Sequence, residues 1–294
     1  MSRCAGAESR VMAEVGKTSR RLVFVAALLG TALVVAVAVV PRALQAPRHD
    51  APTPLQRAPL PAAAEAIEHA HGVRIALDPV PRSTWPEVTY GALGPGDAPN
   101  RDRYLRRLRD ELGRYPRAFL ARSGLRTIAV VKNLAYAGQP RAAVPDPYQG
   151  VLYLDAACAA NNPQYEQHVI HHEYFHYVQG ARHRTPYADD PAWRGFNPPD
   201  FRYGDGGAST RDPNVTPLTH PAPGFINRYA QSAPEEDMAE VFAALRVTEE
   251  RQLIERWARE DEHLKRKVAY LEKFFEDFAR ADVPTPPPAT AGPR

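Results

Sequence analysis

Residues 162–180, NPQYEQHVIHHEYFHYVQG, constrain the fold more than any other part of the chain. Asn162 suits the N-cap of a helix, Pro163 suits the first helical position, and Gly180 suits the position just after the end. These signals predict a helix over residues 163–179. Strand patterns precede it and helical patterns follow it, so we expect an α+β domain with a small mixed sheet and a helical C-terminal part.

Within this predicted helix lies the sequence HEYFH, an HExxH motif that starts at His172. Side chains four residues apart share one face of a helix, so His172 and His176 can bind one zinc ion at about 2.0–2.1 Å. Glu173 follows the first histidine directly, where it can take a proton from a zinc-bound water. The motif therefore predicts a zinc site with Glu173 as its base.

Two more histidines of the same helix receive other interpretations. His168 shares a face with the motif histidines, but a ladder of three would span two turns, about 11 Å, which is too far for one tetrahedral ion. We interpret His168 as a polar surface residue or as a support for a ligand. His171 points elsewhere, and we interpret it as structural.

A third protein ligand is needed if water is to occupy the fourth position on the ion. Metzincins have Gly and His three and six residues after the second zinc histidine, but here Gln179 and Arg182 stand there. Residues 224–245, GFINRYAQSAPEEDMAEVFAAL, offer a better candidate. Glu236 and Glu240 share one face of the helix predicted there, so Glu236 can bind the metal while Glu240 accepts a hydrogen bond from a zinc histidine.

The start of this later helix is predicted from a capping box formed by Ser232 and Glu235, with Pro234 tolerated in the first turn. A plainer interpretation stays open. The acidic residues 235–237 could simply be acids that are favoured in the first turn of a helix.

These motifs together resemble a known group of zinc peptidases. HExxH followed on a later helix by ExxxE is typical of gluzincins, and the run EDMAE preceded by a tyrosine resembles the catalytic domain of anthrax lethal factor and its relatives. The runs HHEYFH and EDMAEVF are still more similar to those of bacterial chains described as zinc-binding metallopeptidases. The resemblance covers roughly residues 150–250.

The resemblance implies a zincin-like metallopeptidase fold and a peptide or protein substrate. It implies that Glu236 is the third zinc ligand, that Glu240 supports a zinc histidine, and that Tyr229 is a phenol that supports the oxyanion. Tyr229 could also be an ordinary packing aromatic. The long Pro- and Gly-rich interval over residues 181–224 departs from the pattern of the group and leaves the shape of the cleft open.

Two other functions stay open beside a zinc peptidase. A non-catalytic exported module could hold a structural zinc ion, although such a site needs no base like Glu173. A zinc amidase that acts on cell-wall peptide would use the same residues.

The N-terminal part is predicted to lie outside the domain. Residues 22–40, LVFVAALLGTALVVAVAVV, carry no charge and approach the ~20 apolar residues that span a bilayer. Basic residues are concentrated in residues 1–21, which by the positive-inside rule would be cytoplasmic, with the catalytic domain on the other side of a single-pass anchor. The alternative is a signal peptide, which would leave a secreted protein after cleavage.

Composition sets the remaining boundaries. Residues 41–64 are rich in Pro and Ala and are predicted to be a linker, residues 65–282 the metallopeptidase domain, and residues 283–294 a disordered Pro-rich tail. The formal net charge of +3 arises from 37 basic and 34 acidic residues, which gives little support for nucleic-acid binding.

Strands are predicted over residues 73–77, 126–131 and 150–154. The last of these could be an edge strand that pairs with an extended substrate, or a plain interior strand. A helical pattern over residues 101–122 should break at Pro116, and its arginines are interpreted as a solvated face.

An aromatic and Gly-rich loop, WRGFNPPDFRYGDGG, covers residues 193–207 between the two motifs. It could line the substrate cleft or act as a lid, because loops often carry binding residues. It could equally be an irregular segment packed by its own aromatic side chains.

Overall fold

The computed structural model describes residues 59–158, 160–209 and 217–280. The predicted membrane segment, residues 22–40, and the predicted tail, residues 283–294, lie outside the described residues. Among the residues that are described, no helix is both long and apolar enough to cross a membrane.

Six strands form a mixed sheet: β1 (Arg74–Ala76), β2 (Val88–Gly91), β3 (Thr127–Tyr136), β4 (Gln139–Pro140), β5 (Ala143–Asp146) and β6 (Val151–Asp155). The sheet has the order β1-β3-β6-β5, and β2 and β4 also pair with β3. Strands β1, β3 and β6 are parallel, whereas β5 runs antiparallel to β6. The mixed sheet agrees with the predicted α+β class.

The described residues contain eight α-helices: α1 (Ala62–His71), α2 (Ala98–Leu112), α3 (Arg117–Ser123), α4 (Pro163–His183), α5 (Pro191–Arg194), α6 (Pro234–Ala244), α7 (Thr248–Trp257) and α8 (Glu262–Arg280). Pro116 separates α2 from α3, as predicted. The first helix begins at Ala62 and buries Ala64 and Ile67, so regular structure starts before residue 65.

Successive side chains of β3 and β6 point to opposite faces of the sheet, so the core has two layers. Ile128 and Val130 of β3 and Leu152 and Leu154 of β6 point toward the helices and join the larger core cluster. Their sequence neighbours, such as Tyr153, point to the opposite face and join a smaller cluster. The helix that carries the HExxH motif packs on the first face.

Of the two positions left open for residues 150–154, edge strand and interior strand, the structure shows the interior one. Strand β6 lies between β3 and β5, and all five of its residues are buried. The outer position belongs to β5, which contains Pro145 and so gave little strand signal in the sequence. Part of the outer edge of β5 is already in use, because Nε1 of Trp85 donates a hydrogen bond to the carbonyl of Pro145 at 3.2 Å.

Helix α4 begins as predicted and ends later than predicted. The Asn162 side chain accepts a hydrogen bond from the backbone N–H of Tyr165 at 3.1 Å, which is the expected N-cap. At the other end, Gly180 continues the helix. The chain leaves it at Arg184, which adopts a left-handed conformation with φ 58°, shortly before Pro186.

Helix α6 begins at Pro234, and the predicted capping box is absent. Ala233 is the N-cap residue and makes no side-chain cap, and the Ser232 hydroxyl is buried without a hydrogen-bond partner in the described part of the chain. The physical reason is that Pro234 forces the preceding residue into an extended conformation. Ser232 therefore ends the preceding 3-10 helix, Tyr229–Gln231, instead of starting α6.

Two contacts fix α4 relative to its neighbours. The Tyr177 hydroxyl lies between two strands, where it accepts from the N–H of Asp146 at 3.2 Å and donates to the carbonyl of Val151 at 2.6 Å. At the start of the helix, Arg103 binds both oxygens of Glu166 at 2.6 and 2.7 Å. These contacts hold α4 at a fixed height on the sheet.

Candidate metal centre

Three side chains from two helices converge on one point. Nε2 of His172 lies 3.3 Å from Nε2 of His176, and these atoms lie 3.0 and 3.6 Å from Oε2 of Glu236. Ligands that surround an ion tetrahedrally at about 2.0–2.1 Å are about 3.3 Å apart, so the three distances fit one ion. The structure therefore brings together the three residues that the sequence predicted as zinc ligands.

Helix packing brings the carboxylate to the two imidazoles. The rings of Phe175 on α4 and Phe242 on α6 lie 4.8 Å apart in the core, which sets the two helices side by side. Burial alone would raise the pKa of Glu236, but the hydrogen bonds with His172 and His176 outweigh burial and hold this pKa well below its usual range. Glu236 is therefore ionised, as a metal ligand must be.

Glu240 lies one turn further along α6, on the far side of the His172 ring. Its Oε1 is 2.9 Å from Nδ1 of His172, within ion-pair distance, although the N–H direction does not satisfy the angle of a hydrogen bond. A small rotation of the ring would align the N–H with the carboxylate. A carboxylate at this nitrogen would leave Nε2 free to bind metal.

The two other histidines of α4 have different surroundings. His168 is buried, so the surface interpretation is wrong. It contacts Glu240 at 3.2 Å and Glu250 at 2.6 Å, which agrees with the interpretation that it supports the site. His171 lies on another face, where Nδ1 is 2.7 Å from the Tyr115 hydroxyl and Nε2 is 3.2 Å from Glu111. His171 is structural, as predicted.

Glu173 stands beside the three donors and is only partly buried. Its Oε2 is enclosed and has no hydrogen-bond partner in the described part of the chain. Burial raises the pKa of Glu173, the nearby charges of His172 and His176 oppose that rise, and Glu236 adds to it. A carboxylate with a raised pKa can accept a proton and give it up again near neutral pH.

Tyr229 lies next to the site, with its ring 5.9 Å from that of His172. Burial raises the pKa of Tyr229 well above its usual value, and the charge of Glu236 adds to the rise, so the phenol keeps its proton. Asn227 holds this segment. Its side chain donates to Glu240 and accepts from the N–H of Ala230 at 2.8 Å, which ties the Tyr229 turn to α6.

Gly207 closes one side of the site with its backbone. A side-chain carbon built on Gly207 would lie 2.3 Å from both the Tyr229 hydroxyl and Oε1 of Glu236, which is closer than real contacts allow. The segment is held by the N–H groups of Gly204 and Gly206, which donate to Gln231 and Ser232 at 3.0 and 2.9 Å. Sequence reasoning had no signal for this close approach beyond the glycines themselves.

Tyr187 is a second phenol near the donors that sequence reasoning missed. Its ring lies 5.3 Å from the ring of His176, and its backbone adopts a left-handed conformation with φ 53°. That conformation is uncommon for a bulky residue and is found most often at functional or tightly constrained positions. The turn after α4 thus places an aromatic ring next to the site.

The aromatic loop over residues 193–207 mainly packs against α6. Trp193 is fully buried, and both its Nε1 and the Tyr203 hydroxyl donate to Asp237, at 2.8 and 2.7 Å. Lys267 of α8 binds the same carboxylate at 2.6 Å. The loop aromatics therefore support the helix that carries Glu236, and only the end of the loop, at Gly207, reaches the site.

The residues present fit a zinc ion. Two imidazole nitrogens and one carboxylate oxygen are ligand types that zinc prefers, and three protein ligands leave one position for water or substrate. A second group, His168, His172 and Glu240, also has donor atoms within 4.8 Å of one another. There, however, Glu240 already pairs with both histidines, and His168 also pairs with Glu250.

Comparison with protein-family models and with curated proteins gives no match. Among solved structures, the chain is similar to the crystal structure of a "putative zinc-binding metallo-peptidase" from Bacteroides caccae. The alignment covers 74% of this chain and 84% of that one, with 15% sequence identity and a TM-score of 0.46. At this level of similarity, function has to be inferred from the site itself.

Proposed function

We propose that the chain is a zinc-dependent peptidase of the gluzincin type, in which His172, His176 and Glu236 hold the ion. The observation that carries the proposal is the triangle of donor atoms with edges of 3.0, 3.3 and 3.6 Å, formed by two helices that are far apart in sequence. Bound zinc would act as a Lewis acid and lower the pKa of water toward about 7. Hydroxide would then be available near neutral pH to attack a carbonyl.

Glu173 serves as the general base. Its carboxylate accepts a proton from the attacking water and delivers it to the nitrogen of the leaving amine. The raised pKa supports this role, and so does the position of Glu173 beside the donors with one oxygen free of hydrogen bonds. A purely structural zinc site would gain nothing from such a carboxylate.

Tyr229 donates a hydrogen bond to the oxygen that gains negative charge when water adds to the peptide carbonyl. Its phenol keeps its proton, and its ring lies beside the ring of His172. A donor of this kind contributes about 2.7–4 kcal/mol to the stabilisation of a transition state. This position favours a catalytic role for Tyr229 over simple packing.

We also propose that residues 22–40 anchor the chain in a membrane, with the N-terminus in the cytoplasm and the catalytic domain on the other side. The support comes from the uncharged run itself and from the basic residues before it. Secretion after signal cleavage is the alternative. N-terminal sequencing of the mature protein from membranes distinguishes the two.

The function is tested by comparing the purified chain with Glu173→Gln on a mixed-peptide library, with zinc content measured for both. Glu255→Gln, the same change at an exposed position of α7, is the control. We expect the parent and the control to cleave and Glu173→Gln to hold zinc without cleaving. Equal cleavage by parent and Glu173→Gln contradicts the mechanism.

Two other results would select the alternatives. Zinc bound by a parent chain that cleaves nothing favours a non-catalytic zinc-binding module. Cleavage confined to cell-wall peptides favours an amidase.

A further inference from the structure

A line of alternating acids and imidazoles runs from the metal centre into the core. Oε1 of Glu240 lies 2.9 Å from Nδ1 of His172, and its Oε2 lies 3.2 Å from Nε2 of His168. Nδ1 of His168 lies 2.6 Å from Oε2 of Glu250, which belongs to the first turn of α7. The line therefore joins α4, α6 and α7, and no step of the proposed mechanism uses its inner half.

All the inner members of this line are enclosed. Glu240, Glu250 and His168 are 3%, 5% and 6% exposed. Buried charges destabilise a fold unless they are paired. The two acids and the histidine are tolerated in the core here because they pair with one another. Gln164 completes the arrangement, because its amide donates to the other oxygen of Glu250 at 3.2 Å.

The charge of His168 follows from its neighbours. Burial would lower the pKa of His168, but Glu240 and Glu250 outweigh burial and raise it to about 10. At neutral pH His168 is therefore a cation between two carboxylates. A cation at this place offsets part of the negative charge of Glu240 and Glu250.

The same helix offers an internal comparison. His171 is also a buried histidine of α4 that pairs with a buried acid, Glu111, at 3.2 Å. That pair faces α2 and touches neither Glu240 nor any of the three donors of the metal centre. The two His–Glu pairs thus share helix, burial and chemistry, and differ in whether they connect to the site.

We propose that His168 and Glu250 are positioning residues of the metal centre: they fix the carboxylate of Glu240 and, through it, the orientation of the His172 ring. The inference rests on the proposed zinc site and goes beyond its three ligands. Carboxylates that orient a zinc histidine typically contribute 10–100-fold to metal affinity. Residues that hold such a carboxylate should contribute at the lower end of that range.

The test measures zinc affinity by competition with a chelator for the full chain and for His168→Gln, Glu250→Gln, His171→Gln and Glu111→Gln. The visible spectrum of the cobalt-substituted forms reports the geometry of the ligands. We expect about a tenfold loss of zinc affinity and an altered cobalt spectrum for the first two variants. The two control variants should keep both properties while losing thermal stability. If His168→Gln does not fold, the result for Glu250→Gln decides the test, because glutamine has nearly the same size as glutamate.

A double-mutant cycle tests whether the effect passes through Glu240. In a Glu240→Gln background, adding Glu250→Gln should weaken zinc binding no further. Additive losses, or equal losses in the control variants, overturn the inference. A parent that binds zinc and cleaves peptides while Glu250→Gln behaves like the controls refutes the positioning role alone. A parent that binds no zinc refutes both the role and the proposed function.

Discussion

Nε2 of His172 and Oε2 of Glu236 lie 3.0 Å apart, although 64 residues separate them in the sequence. Two helices, α4 and α6, create this contact by packing side by side through their aromatic residues. The proposed activity depends on this relationship, because the HExxH motif alone supplies only two ligands.

Removing the distant carboxylate should remove the metal. Glu236→Gln is expected to weaken zinc binding by at least about 100-fold. Loss of a residue that only supports a ligand already lowers metal affinity by about 10–100-fold, and this change removes a ligand itself. The adjacent Glu235→Gln is the matched control, because Glu235 is outside the group of converging donors. Zinc titration monitored by chelator competition measures both. Equal affinities for the two variants would exclude Glu236 as a ligand.

Tyr229→Phe should slow the chemical step without loosening the metal. Loss of one hydrogen-bond donor to the developing oxyanion is expected to lower kcat by roughly 10²–10³, with KM and zinc content unchanged. Tyr136→Phe, at the end of β3, is the control. Steady-state kinetics on a single peptide separates the two parameters. A normal kcat would return Tyr229 to the role of a packing aromatic.

Gly207→Ala should disable the site without changing any polar group. The added methyl would lie 2.3 Å from the Tyr229 hydroxyl and from Oε1 of Glu236, so one or both of these groups must move. We expect both zinc affinity and cleavage to fall. Gly96→Ala is the control, because a methyl there meets nothing within 4 Å. Normal cleavage by Gly207→Ala would show that the segment yields freely.

The buried pair of Glu111 and His171 should make the free energy of unfolding depend on pH in the acid range. Burial would raise the pKa of Glu111, but hydrogen bonds from His171 and Gln167 and the charges of His171 and Arg114 lower it to about 2. The folded state therefore binds this proton less readily than the unfolded chain, whose value is near 4.5. The contribution is complete above pH 4.5 and is lost as pH falls toward 2.

Urea unfolding of the parent and of Glu111→Gln checks this dependence. At neutral pH the variant should be less stable by roughly 1–3 kcal/mol, because it leaves buried donors poorly paired. The difference should shrink as pH falls below 4.5. A difference that is the same at pH 6 and pH 3.5 would show that the charge of Glu111 does not contribute.

Local signals in the sequence predicted much of the site. The cap at Asn162 and the spacing of His172 and His176 are properties of one helix, and they need no tertiary information. Glu236 could be selected because an acid four residues from another acid suits a helix that faces a metal. The resemblance to gluzincins added Tyr229, which no spacing rule would have selected.

Contacts that depend on distant packing could not be predicted. Glu250 is 82 residues from His168, and nothing around it distinguishes it from the other acids of a charged helix. The sequence left open whether residues 150–154 form an edge or an interior strand, because the outer neighbour β5 contains Pro145, which obscures its strand pattern. The approach of Gly207 to Glu236 likewise depends on how a long loop folds back.

The central claim is most directly tested by locating the metal. A crystal of the zinc-loaded chain, measured at the zinc absorption edge, should show one anomalous peak about 2.0–2.2 Å from Nε2 of His172, Nε2 of His176 and a carboxylate oxygen of Glu236. Absence of a peak, or a peak bound by His168, His172 and Glu240 instead, would contradict the account.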